Sequence, residues 1–123
     1  SQYCSDPRRF DPANATTWPT HSSGASVDVM LRSLDTGQDL DLGAAFDDLS
    51  PVAHTDHLEQ ALDRGLIGPD DAALLNRRLL YWTMAEAGFE NYPFEFWHFD
   101  FGNQMFVLNA RAKNATLNQA WYG

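Results

Sequence analysis

The chain has 123 residues, 44% hydrophobic and 20% charged, which suits one domain around one core. Its net charge is -9 and Lys113 is its only lysine, so no basic track exists for nucleic acid or for an anionic membrane surface. No apolar run is long enough to span a bilayer, no positively charged leader precedes one, and the single cysteine, Cys4, excludes an internal disulfide and a thiolate-rich zinc cluster.

In chain order, residues 1–20 are rich in Pro, Asp, Asn and Thr and predict an irregular lead-in. Residues 25–31 alternate and predict a strand, with Ser26, Asp28 and Met30 on one face and Val27, Val29 and Leu31 on the other. Residues 35–53 predict a long ordered loop anchored by Leu40, Leu42, Phe46 and Leu49, and a short helix is expected over 55–63. A longer helix is expected from Pro69 to Ala87: Pro69 suits the first helical position, Asp70 and Asp71 favour the helix start, and Gly88 can end it. Ala72, Leu75, Leu79 and Trp82 are spaced to form its buried stripe, and Tyr81 reads as core. Residues 96–101 and 104–108, split by Gly102-Asn103, predict a hairpin.

Two short motifs far apart carry the chemistry. One is Thr20-His21-Ser22-Ser23-Gly24-Ala25-Ser26-Val27-Asp28, the other Glu95-Phe96-Trp97-His98. Together they hold two imidazoles, a carboxylate of ligand type and a further carboxylate. Three protein ligands with an open position, plus a base, is the make-up of a catalytic zinc site, so metal-assisted hydrolysis is expected. His21 and Asp28 are seven apart, so they converge only if His21 lies in a loop before the strand and the chain turns near Gly24, which has no Cβ. The plain alternative is a locally bonded Asp28 and a loop histidine. In the second motif, His98 and Asp100 share one strand face, Trp97, Phe99 and Phe101 the other, and Glu95 must reach in from the strand entrance. A surface hairpin accounts for His98 and Asp100 but leaves Glu95, between Phe94 and Phe96, unexplained. His54 and His57 could be a second metal pair, though with Asp56 they read better as a helix-start cluster. Cys4 reads as structural, and Asp47 and Asp48 as solvated loop charges.

Residues 20–28 resemble the S-x-H-x-x-G-x-A-x-D signature of the M15 zinc peptidases, and residues 95–99 their E-x-W-H-F signature, best within the D-alanyl-D-alanine dipeptidase (VanX-like) subfamily. Leu42-Gly43 with Phe46-Asp47, His54-Thr55-Asp56 and Gly88-Phe89 resemble the segments between. The resemblance implies His21, Asp28 and His98 as ligands of one zinc ion and Glu95 as general base. It also implies an α+β fold of the M15 or hedgehog-like type, with a small antiparallel sheet holding the zinc and helices packed on it. Residues 1–123 would then form a single catalytic domain hydrolysing a D,D-dipeptide such as D-alanyl-D-alanine. Another M15 carboxypeptidase or endopeptidase activity on peptidoglycan peptides, or a zinc-stabilised binding module, are the alternatives. Pro19 and Ser26 depart from the signature beside the site. The family's N-terminal portion, with an arginine that helps stabilise the transition state, has no counterpart here, and Arg8 and Arg9 are not assigned that role. Either a companion chain carries that portion or this is a fragment, with a minimal variant as the third reading, and a soluble protein with no membrane insertion is expected.

Overall fold

The computed structural model describes residues 7–14, 17–113 and 120–121. Cys4 and the first part of the expected lead-in lie outside the described residues. Three strands, β1 (Ser26–Asp28), β2 (Glu90–Asn91) and β3 (His98–Asp100), form an antiparallel sheet in the order β1-β3-β2. Three helices complete an α+β architecture: α1 (His57–Asp63), α2 (Ala72–Glu86) and α3 (Gln104–Arg111). β3 is the central strand. Its register sets Asp100 opposite Ser26 and Glu90, Phe99 opposite Val27 and Asn91, and His98 opposite Asp28. Strand alternation then gives β3 two characters. Phe99 joins Leu42, Ala53, Leu80, Phe96 and Trp97 in the main core, while His98 and Asp100 turn to the other face.

The strand expected over 25–31 pairs with β3 only over Ser26–Asp28. Beyond it the chain doubles back on itself, with an isolated bridge between Arg32 and Asp39 and a Leu40 N–H bond to the Leu31 carbonyl. The loop that follows is anchored by fully buried Leu42, whereas Phe46 and Leu49 are exposed. The short helix falls as expected, as α1.

Helix α2 starts later than expected. Asp71 is its N-cap and accepts the Leu74 N–H, so Pro69 and Asp70 belong to the turn before it rather than to the helix. Gly88, at φ 90°, follows its end, as expected of a residue free to enter the left-handed region. The expected buried stripe is overturned. Leu75, Leu79 and Trp82 are 47%, 55% and 62% exposed, and Ala72 is exposed too. The buried face is instead Ala73, Leu74, Arg77 and Leu80. Ala73 and Leu74 pack on Leu58 of α1, and Leu80 enters the main core. Tyr81 is half-buried and packs edge-on against Trp82 rather than lying in the core.

The expected 96–108 hairpin is also overturned, since residues 104–111 form α3. Gly102 reverses the chain at φ 72°, and the Asn103 side chain caps the new helix by accepting the Phe106 N–H. Val107 and Ala110, three apart, are the residues α3 buries, which is a helical spacing rather than a strand one. β1 and β2 pair with β3 on its two sides, leaving no edge of it for 104–108 to pair with.

Arg77 ties this framework together. It is 5% exposed. Its guanidinium donates to the carbonyls of Leu42, His54 and Val52 and lies 4.0 Å from the Phe96 ring centre. Burial pushes its pKa down to about 10, so the group stays charged at neutral pH. The loop it holds is itself bonded to the approach of β3, through Thr55 N–H to the Pro93 carbonyl and Phe96 N–H to the Ala53 carbonyl.

Candidate metal centre

His21 sits in a single 3-10 turn, Thr20–Ser23, directly before β1. Gly24 ends the turn in the left-handed conformation at φ 72° and sends the chain into the strand. That bend places the His21 side chain beside Asp28, seven residues on, with Nε2 3.5 Å from the Asp28 Oδ2. Cross-strand pairing does the rest. His98, opposite Asp28, lies with Nδ1 3.0 Å from Asp28 Oδ1. The two imidazoles meet edge to face at 4.8 Å between ring centres.

One ligand atom from each of His21, Asp28 and His98 lies within 4.8 Å of the other two. Among the described residues this is the group of His, Cys, Asp and Glu side chains that could hold a metal ion. His54 and His57 are not part of it. His57 opens α1, and His54 packs against Phe94.

Glu95 stands at the strand entrance. Its N–H bonds the Tyr92 carbonyl and its carbonyl accepts the His98 N–H, so the turn is closed on both sides. Asn91 reinforces it by donating to the carbonyls of Glu95, Phe96 and His98. The Glu95 carboxylate reaches the group without joining it, with Oε2 3.8 Å from His98 Nδ1. Burial pushes the Glu95 carboxyl above its ordinary value, and the charges of Asp28 and Asp47 add to this against the opposing pull of His98 and His21. Asp47, read from the sequence as a solvated loop charge, is thus a neighbour of the centre, held at φ 61° in the left-handed region.

Behind His98 lies a residue whose role sequence reasoning missed. Asp100 is fully buried, and its Oδ1 is 3.1 Å from His98 Nε2. The same oxygen accepts from the Ser26 hydroxyl and from Asn103 Nδ2 at 2.7 Å. Burial alone would raise the Asp100 carboxyl, but these three bonds and the His98 charge hold it below its ordinary value. For His98, burial opposes protonation, yet Asp100, Asp28 and Glu95 outweigh it and raise the ring above its ordinary 6.5. The signal in the sequence was the two-residue spacing of His98 and Asp100 on one strand face.

The donor set fits a metal of borderline character. It offers two imidazoles and a carboxylate, no thiolate, and a second carboxylate outside the group. Among the described residues the ion pairs of Asp28 and Glu95 are with His21 and His98 alone.

The family model for peptidase M15, D-ala-D-ala dipeptidase, matches residues 2–118. The chain belongs to this family of metallopeptidases. Curated relatives are named D-alanyl-D-alanine dipeptidase. The one from Synechocystis is 31% identical over 113 residues, 89% of this chain and 45% of its own length. The one from Escherichia coli is 34% identical over 99 residues, 80% and 45%. The one from Enterococcus faecalis is 35% identical over 80 residues, 65% and 35%. The chain thus spans less than half the length of these relatives. No helix among the described residues is long and apolar enough to cross a membrane.

Proposed function

We propose that the chain hydrolyses a D,D-dipeptide such as D-alanyl-D-alanine, with one zinc ion held by His21, Asp28 and His98 and with Glu95 as general base. The observation that carries this reading is the meeting of those three side chains with a fourth, non-ligating carboxylate 3.8 Å from His98 Nδ1. The names of the relatives supply the substrate. A zinc ion at this centre supplies Lewis-acid activation of water and of the scissile carbonyl. Glu95 accepts the proton of the attacking water at its carboxylate and delivers it to the leaving amine. Its raised pKa suits a group that must both take and return a proton.

Metal analysis of the purified chain should find one zinc ion per molecule, and none after His98→Ala. D-alanyl-D-alanine should be cleaved and its L,L counterpart left intact. Equal zinc in the two proteins would overturn the ligand assignment, and cleavage of only the L,L dipeptide would overturn the substrate.

Zinc binding should weaken on acidification, because each imidazole must give up its proton to ligate. The sign follows from His98. Its neighbours raise its hold on the proton above the ordinary 6.5, so competition begins above that pH and grows as pH falls through it. Zinc titrations from pH 8 to pH 5 (roughly the span over which a histidine changes charge) should show steadily falling affinity. A flat profile would contradict imidazole ligation.

A further inference from the structure

We propose that Asp100 is the positioning residue of the metal centre: held by Ser26 and Asn103, it accepts the hydrogen bond of His98 Nε2–H and so presents the Nδ1 lone pair to the metal. The inference rests on the metal reading above and names a residue outside the ligand set.

Four features of the structure support it. First, the two ring nitrogens of His98 face different groups. Nδ1 points to Asp28 and Glu95, at 3.0 and 3.8 Å, while Nε2 points to Asp100 at 3.1 Å. A neutral imidazole carries its proton on one nitrogen only. A carboxylate accepts but does not donate, so Asp28 and Asp100 each favour a proton on the nitrogen they face. Asp100, fully buried and fixed by Ser26 and Asn103, outcompetes the part-exposed Asp28, which His98 shares with His21, and selects the form with the proton on Nε2. That leaves Nδ1 bare on the side of Asp28 and His21.

Second, Asp100 is itself fixed. Ser26 and Asn103 both donate to the oxygen that faces His98, and Asn103 also bonds the Ser26 hydroxyl at 2.8 Å. These partners come from β1 and from the start of α3, so three elements converge on one carboxylate. Third, its other oxygen, Oδ2, is buried with no hydrogen-bond partner among the described residues. Keeping a buried carboxylate with one oxygen unbonded is costly, so it is a poor choice for packing alone. Fourth, β3 keeps Asp100 and His98 on the same face by simple alternation, and the Ser26–Asp100 register puts the hydroxyl beside them. Ser26 departs from the alanine of the family signature, and the hydroxyl it brings is one of the bonds that hold Asp100.

The test has two parts. In metal-free wild-type protein, nitrogen NMR of His98, at a pH where the ring is neutral, should show the proton on Nε2. In Asp100→Asn the charge is lost with little change of shape, and zinc affinity measured against a competing chelator should fall about ten- to a hundredfold, as is usual for an outer partner of a ligating histidine. Asp100→Glu should not restore it, because the longer side chain cannot keep all three bonds. A proton on Nδ1 in the wild type would overturn the proposal without any variant. So would unchanged zinc affinity in Asp100→Asn. Should Asp100→Asn fail to fold, the wild-type proton position alone decides. Failure of the wild type to bind zinc at all would instead overturn the underlying metal reading and leave the proton position as a separate result.

Discussion

Glu95→Gln should keep its zinc and lose nearly all hydrolytic activity, with kcat down about a hundred- to ten-thousandfold, the usual weight of a positioned general base. The amide has the shape of the carboxylate but cannot accept the proton of a water. Glu95 is not one of the three groups that meet as a ligand set, so removing its charge should leave the metal in place. The turn that carries it is held by main-chain bonds and by Asn91, none of which uses the Glu95 carboxylate. The variant should therefore fold as the wild type does. One secondary effect has a definite sign. Glu95 is among the charges that raise the His98 pKa, so its loss lets His98 release its proton more readily. Zinc should then survive to slightly lower pH in the variant. Metal content and steady-state rates on D-alanyl-D-alanine check the two halves separately. A variant that keeps more than about a tenth of the rate is incompatible with Glu95 as the base.

Arg77→Met should be the most destabilising single change on the surface of α2 that faces the core. Methionine fills much of the same space and removes all the donors. The carbonyls of Leu42, Val52 and His54 would lose their partner at once. Unpartnered buried polar groups cost roughly 1–3 kcal/mol each, so a total of about 3–5 kcal/mol is expected after partial exposure to water. That is a large part of the stability of an ordinary small domain. Arg77→Lys should recover only a fraction, because an ammonium cannot reproduce a fork that serves three carbonyls. The consequence extends to the site. The loop held by Arg77 is bonded to Pro93 and Phe96, which flank Glu95. Urea unfolding of the metal-free protein measures the loss, and a change below about 1 kcal/mol would show that the carbonyls find other partners.

The candidate metal group was legible because its residue types are unusual where they occur. A histidine and an aspartate around a glycine turn, and a glutamate and a histidine inside an aromatic run, carry chemistry that core packing does not need. The geometry adds that Gly24 makes the turn and that the Asp28–His98 register closes the group. The roles of Asp100 and Arg77 were not legible. Asp100 was visible only as a face-mate of His98, since its other partners, Ser26 and Asn103, come from β1 and from the residue that caps α3. Arg77 belongs to no motif, and its three carbonyl partners lie in the 42–54 loop.

The same limit explains both errors of secondary structure and packing. Helix α2 carries apolar residues on more than one face, and periodicity alone favoured Leu75, Leu79 and Trp82. Which face is buried depends on where the loop at 42–54 runs, because its carbonyls draw the charged Arg77 inward with Ala73, Leu74 and Leu80. Residues 104–108 are rich enough in β-formers to suggest a strand, but strand formation requires a partner edge, and β1 and β2 already occupy both edges of β3. Asn103, free to cap instead, starts a helix. By itself the sequence determined the turn at Gly24, the alternation along β1 and β3 and the side chains of the candidate metal group, because these depend on local conformation and on side-chain chemistry, while the α+β fold followed from the family resemblance. The tertiary structure alone decided the buried face of α2, the helix after Asn103 and the carboxylate behind His98, because each depends on which segments pack together: the 42–54 loop on α2, β1 and β2 on β3, and Ser26 of β1 on Asp100.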